Sequence, residues 1–78
     1  MLVKLVNDRE TTIFSGIDSV SMFYQQENNT KTKILSVEFK DEKPKLNFAL
    51  SQETETEFAP VWEAFLMNDR GETIERLY

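Results

Sequence analysis

Residues Thr32–Leu50, TKILSVEFKDEKPKLNFAL, decide the fold. From Lys33 to Lys40 the side chains alternate, with Leu35, Val37 and Phe39 on one parity and Ser36, Glu38 and Lys40 on the other. Successive strand side chains point to opposite faces, so this run reads as a half-buried strand in which only Ile34 is out of phase. Lys45–Leu50 repeats the pattern: Leu46, Phe48 and Leu50 alternate with Lys45, Asn47 and Ala49. Asp41-Glu42-Lys43-Pro44 lies between the two runs. Proline has no N–H to give a ladder, so it belongs in the turn or at the first residue of the next strand. Two alternating runs around a short polar loop predict an antiparallel hairpin. Leaving Leu35, Val37, Phe39, Leu46, Phe48 and Leu50 in water would cost roughly 1.5–3 kcal/mol each, so the rest of the chain must cover them.

Upstream, Ser19–Gln25 alternates again, with Val20, Met22 and Tyr24 on one face and Ser19, Ser21, Phe23 and Gln25 on the other. The polar stretch Gln26–Lys31 joins it to the central strand, which predicts a second hairpin. A short helix over 18–26, with Asp18 or Ser19 as N-cap, is the competing assignment. Asn28-Asn29-Thr30 fits the N-glycosylation pattern, but without a signal peptide it reads as a polar turn. Leu2–Val6 is a short apolar strand, Asn7–Glu10 has turn chemistry, and the β-branched run Thr11–Ile17 is expected to pair back on the first strand. Gly16 inside that run marks a bulge or a corner where the chain changes direction.

Downstream, Ser51–Glu57 holds only Ser, Gln, Glu and Thr and has the weakest pattern in the chain. Val61–Asn68 and Glu72–Tyr78 read as a final pair closed by Asn68-Asp69-Arg70-Gly71, a type I turn with Gly71 in the left-handed position. Trp62, Ala64 and Leu66 line one face of the first of these strands, and Val61, Phe65 and Met67 the other. Two apolar faces suit a central strand. A helix within 58–67 is the alternative; Pro60 argues against one running through it. The fold class is therefore mainly β. It is expected to be a small antiparallel β-sandwich or partly open barrel of six to seven short strands, forming a single domain over residues 1–78. An α+β fold with one short helix is the alternative.

Seventy-eight residues suffice for one core, which buries about 60% of the unfolded surface, and leave no room for a separate cofactor domain. The absence of cysteine removes disulfides, thiolate ligands and thiol nucleophiles, and an unstapled chain of this size leans toward the cytoplasm. The absence of histidine removes the commonest general base and leaves zinc without its usual ligands. No apolar run approaches the ~20 residues of a membrane span. With glycine only at positions 16 and 71 there is no phosphate-cradling loop. Asn68-Asp69-Arg70-Gly71-Glu72 has fragments of a calcium loop but not its spacing. No catalytic, metal or cofactor motif is expected.

The charge layout is uneven. Residues 1–52 are balanced, so the net charge of −5 belongs to residues 53–78, where Arg70 and Arg76 face seven carboxylates. On a strand, Glu53, Glu55 and Glu57 would project from one face roughly 6.6–6.8 Å apart. They would form an acidic patch for a basic partner, or else a solvated stretch that discourages aggregation. Lys31, Lys33, Lys40, Lys43 and Lys45 gather around the central hairpin, with Phe23 and Tyr24 beside them as rings on which bases could stack, but interspersed acids and the low isoelectric point argue against direct nucleic-acid binding. Trp62 is either an interface anchor or core.

The expected function is a non-enzymatic protein-interaction module that works by self-association, as a homodimer, or through a protein partner. Glu53, Glu55, Glu57 and Trp62 are its candidate partner-binding residues. The terminal strands Leu2–Val6 and Thr73–Tyr78 offer backbone edges for pairing. The alternative is an acidic inhibitor or nucleic-acid mimic that occupies a basic site on a host protein. Small size and acidity suit an accessory protein of a phage or mobile element.

Overall fold

A computed structural model describes all 78 residues. The chain forms eight strands and no helix: β1 (Leu2–Val6), β2 (Thr11–Phe14), β3 (Ile17–Glu27), β4 (Thr30–Phe39), β5 (Leu46–Glu53), β6 (Phe58–Pro60), β7 (Glu63–Met67) and β8 (Thr73–Arg76). They build two antiparallel four-stranded sheets, ordered β2-β1-β7-β8 and β3-β4-β5-β6. The architecture is a small β-sandwich, not a closed barrel. Both helical alternatives fail, since residues 18–26 lie in β3 and residues 58–67 contribute β6 and β7. Alternation over Val20–Tyr24 won over capping at Asp18. The strand count exceeds the expected six to seven because Phe58–Pro60 pairs with Ser51–Glu53, a short ladder that the polar composition of Ser51–Glu57 concealed.

The central hairpin is β4–β5. Leu35 lies opposite Phe48 and Val37 opposite Leu46, and Leu35, Val37 and Leu50 are fully buried. A register shift between Lys33 and Ile34 brings Leu50 and Ser51, two successive residues, to buried positions. This bulge re-aims β5 so that the Leu50 carbonyl accepts hydrogen bonds from the Val61 and Trp62 amides, at 2.8 and 3.1 Å. Ile34, out of phase in the sequence, is buried on the opposite face beside Phe23 and Ala49.

Two crossovers link the sheets. The first is Ser15–Gly16, where Gly16 adopts φ +69°, a left-handed geometry suited to glycine. The Lys40 amide donates to the Gly16 carbonyl at 2.9 Å and the Ile17 amide to the Met1 carbonyl at 3.3 Å, so the corner is tied to both sheets. The second is Val61–Trp62, where β6 hands the chain back to β7. The core joins Val3, Leu5 and Ala64 of one sheet to Ile17, Leu35, Val37 and Leu50 of the other. Phe14 closes one end against Phe48 and Phe39, with ring centroids 5.2 and 6.4 Å away.

β1 is an interior strand, flanked by β2 and β7, so it offers no free edge. β7 pairs with it along its whole length and consumes the groups that a terminal strand would have exposed. β8 does lie at an edge, and Asn68 caps its turn by accepting from the Arg70 and Glu72 amides, at 3.0 Å each.

Candidate functional site

The two sheets differ in length, and this difference builds the site. β3 has 11 residues and β4 has 10, whereas the strands of the other sheet have four or five. At ~3.3 Å per residue β3 spans about 36 Å, close to the 40 Å long axis of the molecule. A five-residue strand covers roughly half of that length. The β3–β4 hairpin therefore extends beyond its covering sheet. Every residue of β3 from Ser21 to Glu27 is exposed.

Three consecutive large side chains stand on this overhang. Met22 and Tyr24 share the parity of Val20 and face inward, where Met22 lies opposite Leu35 and Tyr24 opposite Lys33; Phe23 faces outward opposite Ile34. They are 40%, 57% and 45% exposed, respectively. Lys33 lies between two tyrosine rings, 4.6 Å from the centroid of Tyr78 and 5.5 Å from that of Tyr24, and Lys31 sits 4.3 Å from Tyr24. Neither lysine has an ion-pair partner within 4.0 Å. Tyr78 is held there because its amide and carbonyl both bond to Ala64 of β7, at 3.1 and 3.0 Å.

The backbone of β3 is free along one side. Asn28 has φ +56° and Asn29 does not share the positive φ, the pattern of a type II′ turn. Such a turn makes Glu27 and Thr30 a hydrogen-bonded pair. Pairs alternate along an antiparallel ladder, so Gln25, Phe23, Ser21 and Ser19 also direct their N–H and C=O groups to β4. The groups of Val20, Met22, Tyr24 and Gln26 face outward, with no neighbouring strand.

The other edges are guarded. β6 has three residues and ends in Pro60, and β2 and β8 have four each, with Glu75 and Arg76 on β8. Short length, charge and proline are the usual means by which a sheet edge is kept from pairing. β3 has none of them between Asp18 and Glu27.

Glu53, Glu55 and Glu57 do not form a row on one strand. Glu53 closes β5 opposite Lys31 and Phe58, Glu55 sits at the tip of the following bend, and Glu57 precedes β6. Thr54 shapes this turn: its amide donates to the Glu57 carbonyl at 2.8 Å and its hydroxyl accepts from the Glu57 amide at 3.1 Å. All three carboxylates are exposed and none is in an ion pair. Trp62 is half-buried against the core at the second crossover. The structure thus separates Trp62, in the packing, from the glutamates, in solvent.

Two open hollows remain. One, of about 440 Å³, is lined by Ile13, Phe14, Phe39, Pro44 and Leu46 with Lys43 as its charged group. The other, of about 330 Å³, is wholly polar and holds Glu27 among amides and hydroxyls. Neither brings two titratable groups together. No cluster of three acidic side chains is placed to hold a metal ion.

No protein-family model, characterised protein or solved structure matches this chain. Sequence reasoning considered Phe23 and Tyr24 only as stacking surfaces beside the lysines, and missed Met22, Phe23 and Tyr24 as a candidate docking edge. The usable signal was the uncharged window Ser19–Gln26, apolar on both parities at its middle.

Proposed function

We propose that this chain is a non-catalytic protein-interaction module whose docking element is the free edge of β3, used to pair with a second copy or with another protein. One observation carries this reading: β3 is a long edge strand exposed on both faces, with Met22, Phe23 and Tyr24 contiguous and no charge, proline or glycine from Ser19 to Gln26. Such an edge supplies main-chain hydrogen bonds for affinity and alternating side chains for selectivity, the chemistry of strand addition. Lys31, Lys33, Tyr24 and Tyr78 flank the edge and give the docked strand a cationic, aromatic neighbour on the inner face.

The acidic-mimic reading is weaker. Three glutamates around one bend lack the regular charge spacing of a phosphate backbone, and Lys31 lies opposite the first of them.

The test is capture by the tagged chain at low and high salt, with self-association followed in parallel by sedimentation. Whatever partner is found should survive high salt and the triple change Glu53→Gln, Glu55→Gln, Glu57→Gln, and should be lost on combining Met22→Pro with Tyr24→Ser. A partner that behaves the opposite way would transfer the function to the acidic turn.

A further inference from the structure

We infer that the occupant of the β3 edge is β3 of a second copy of this chain, antiparallel and centred on Met22, so that two four-stranded sheets join into one continuous sheet across a two-fold axis. This inference rests on the docking-strand reading above and adds the partner and the register.

The register follows from three features. First, Met22 is the midpoint of Ile17–Glu27, so a pairing centred there engages the strand from end to end, the bulge at Asp18 included. Second, Met22 belongs to the outward-facing phase of the backbone. The two Met22 residues then form a hydrogen-bonded pair on the axis, and Val20 forms one with Tyr24 of the second copy. Third, the opposed side chains include favourable pairs, with Ser21 against Phe23 and Ile17 against Glu27 the unlike ones. Val20 meets Tyr24, a β-branched residue against an aromatic one, Ser19 meets Gln25, and no two like charges stand opposite. Asp18 lies opposite Gln26 of the second copy, whose own cross-strand neighbour is Lys31. Neither Asp18 nor Lys31 has an ion pair within its own chain, and the pairing brings Asp18 within two strand spacings, about 9–10 Å, of Lys31 of the second copy.

The mismatch between the sheets favours a second copy over an unrelated strand. The chain's smaller sheet covers the start of β3 and leaves its end bare. In the antiparallel pair the bare end of one copy lies beside the covered end of the other. Met22 and Tyr24 then gain apolar neighbours from the partner's β3 and from the sheet packed on it. A two-fold arrangement of this kind is isologous and closes, with no edge left to propagate a filament through β3.

The cysteine-free sequence makes the test clean. In a Met22→Cys chain the two thiols would sit across a hydrogen-bonded pair, with Cα atoms about 5.5 Å apart, inside the disulfide range. In a Tyr24→Cys chain the two thiols would be about four residues apart along the strands, ~13 Å, and out of reach. The expected result is that Met22→Cys forms a covalent dimer about tenfold or more faster than Tyr24→Cys under a mild thiol–disulfide buffer. A mixture of Val20→Cys and Tyr24→Cys chains should cross-link to each other. The unmodified chain should sediment as a dimer, more completely at high salt, because each copy carries −5 and screening weakens their repulsion.

A strict monomer at high-micromolar concentration overturns the inference. So does a dimer in which Met22→Cys cross-links no faster than Tyr24→Cys. A monomer that captures another protein only while β3 is intact overturns self-pairing and leaves the docking strand standing. A dimer that survives Met22→Pro overturns both.

Discussion

The backbone phase of β3 makes opposite demands on two neighbouring residues, and proline tests it. If Phe23 directs its N–H to Ile34, Phe23→Pro removes a ladder bond and leaves the Ile34 carbonyl without a donor beside a buried side chain. The lost bond costs about 0.5–1.5 kcal/mol and the orphaned acceptor about 1–3, so the substitution should destabilise by about 2–4 kcal/mol. Met22→Pro removes an N–H that faces solvent in the single chain, a place where an edge strand tolerates proline. It forfeits part of a methionine side chain that is 40% exposed, about 1 kcal/mol, against which the stiffer unfolded chain returns about 0.4–1. For a domain of this size 1 kcal/mol moves Tm by roughly 4–8 °C, which translates into a drop of about 8–32 °C for Phe23→Pro and under about 8 °C for Met22→Pro. Thermal unfolding followed by circular dichroism, at dilutions where any dimer has dissociated, measures both. If Met22→Pro costs as much as Phe23→Pro or more, the phase is inverted. The free groups then belong to Ser21 and Phe23, and the pairing centred on Met22 is refuted.

Leu35 is fully buried at the centre of the core, so Leu35→Ala should cost about 2–5 kcal/mol, comparable to the whole stability of a domain this small; urea unfolding should show a largely unfolded chain. The Ser36 hydroxyl is buried without a hydrogen-bond partner, so Ser36→Ala should be neutral or stabilising, seen as an unchanged or raised urea midpoint. The triple change of Glu53, Glu55 and Glu57 to Gln should shift stability by less than about 0.5 kcal/mol, because none of the three is in an ion pair. The Met1 amino group lowers the pKa of the Asp69 carboxyl below 3.8, first through a hydrogen bond at 3.0 Å and then through its charge, against a small desolvation effect and with a further pull from Lys40. That contribution is complete above the unfolded value of 3.8 and is lost as pH falls through the lower folded value; Asp69→Asn should flatten this part of the acid-unfolding curve.

Much of the fold was legible because strand parity is a local property. Leu35 and Val37 announce a buried face by their spacing, Gly16 announces the corner by its lack of a side chain, and Asn68–Gly71 announces its turn by residue type. Two things were not legible. Phe58–Pro60 pairs back on Ser51–Glu53 across the turn that Thr54 closes with Glu57, and no count of β-formers in that polar segment could show this. β1 looked terminal in sequence and is interior in space, since its neighbour β7 arrives some sixty residues later.

The site was hidden for the same reason. The alternation of Val20, Met22 and Tyr24 is as regular as that of Leu35 and Val37, and both runs read as half-buried strands. Whether such a face is covered depends on how far the opposing sheet reaches, and that is set by the lengths of β1, β2, β7 and β8, which come from distant turns. The short strands stop at Asn7, Asn68 and Gly71 because turn chemistry ends them, while β3 runs on to Asn28 with nothing to break it. The exposed edge is therefore a consequence of where the turns fall. A chain that needed only to fold would be better served by a charge or a proline within Ser19–Gln26. Lysine at Phe23, whose side chain faces away from the covering sheet, would guard the edge without touching the core. The sequence instead keeps eight uncharged residues there, and the reading of β3 as a docking strand stands on that difference.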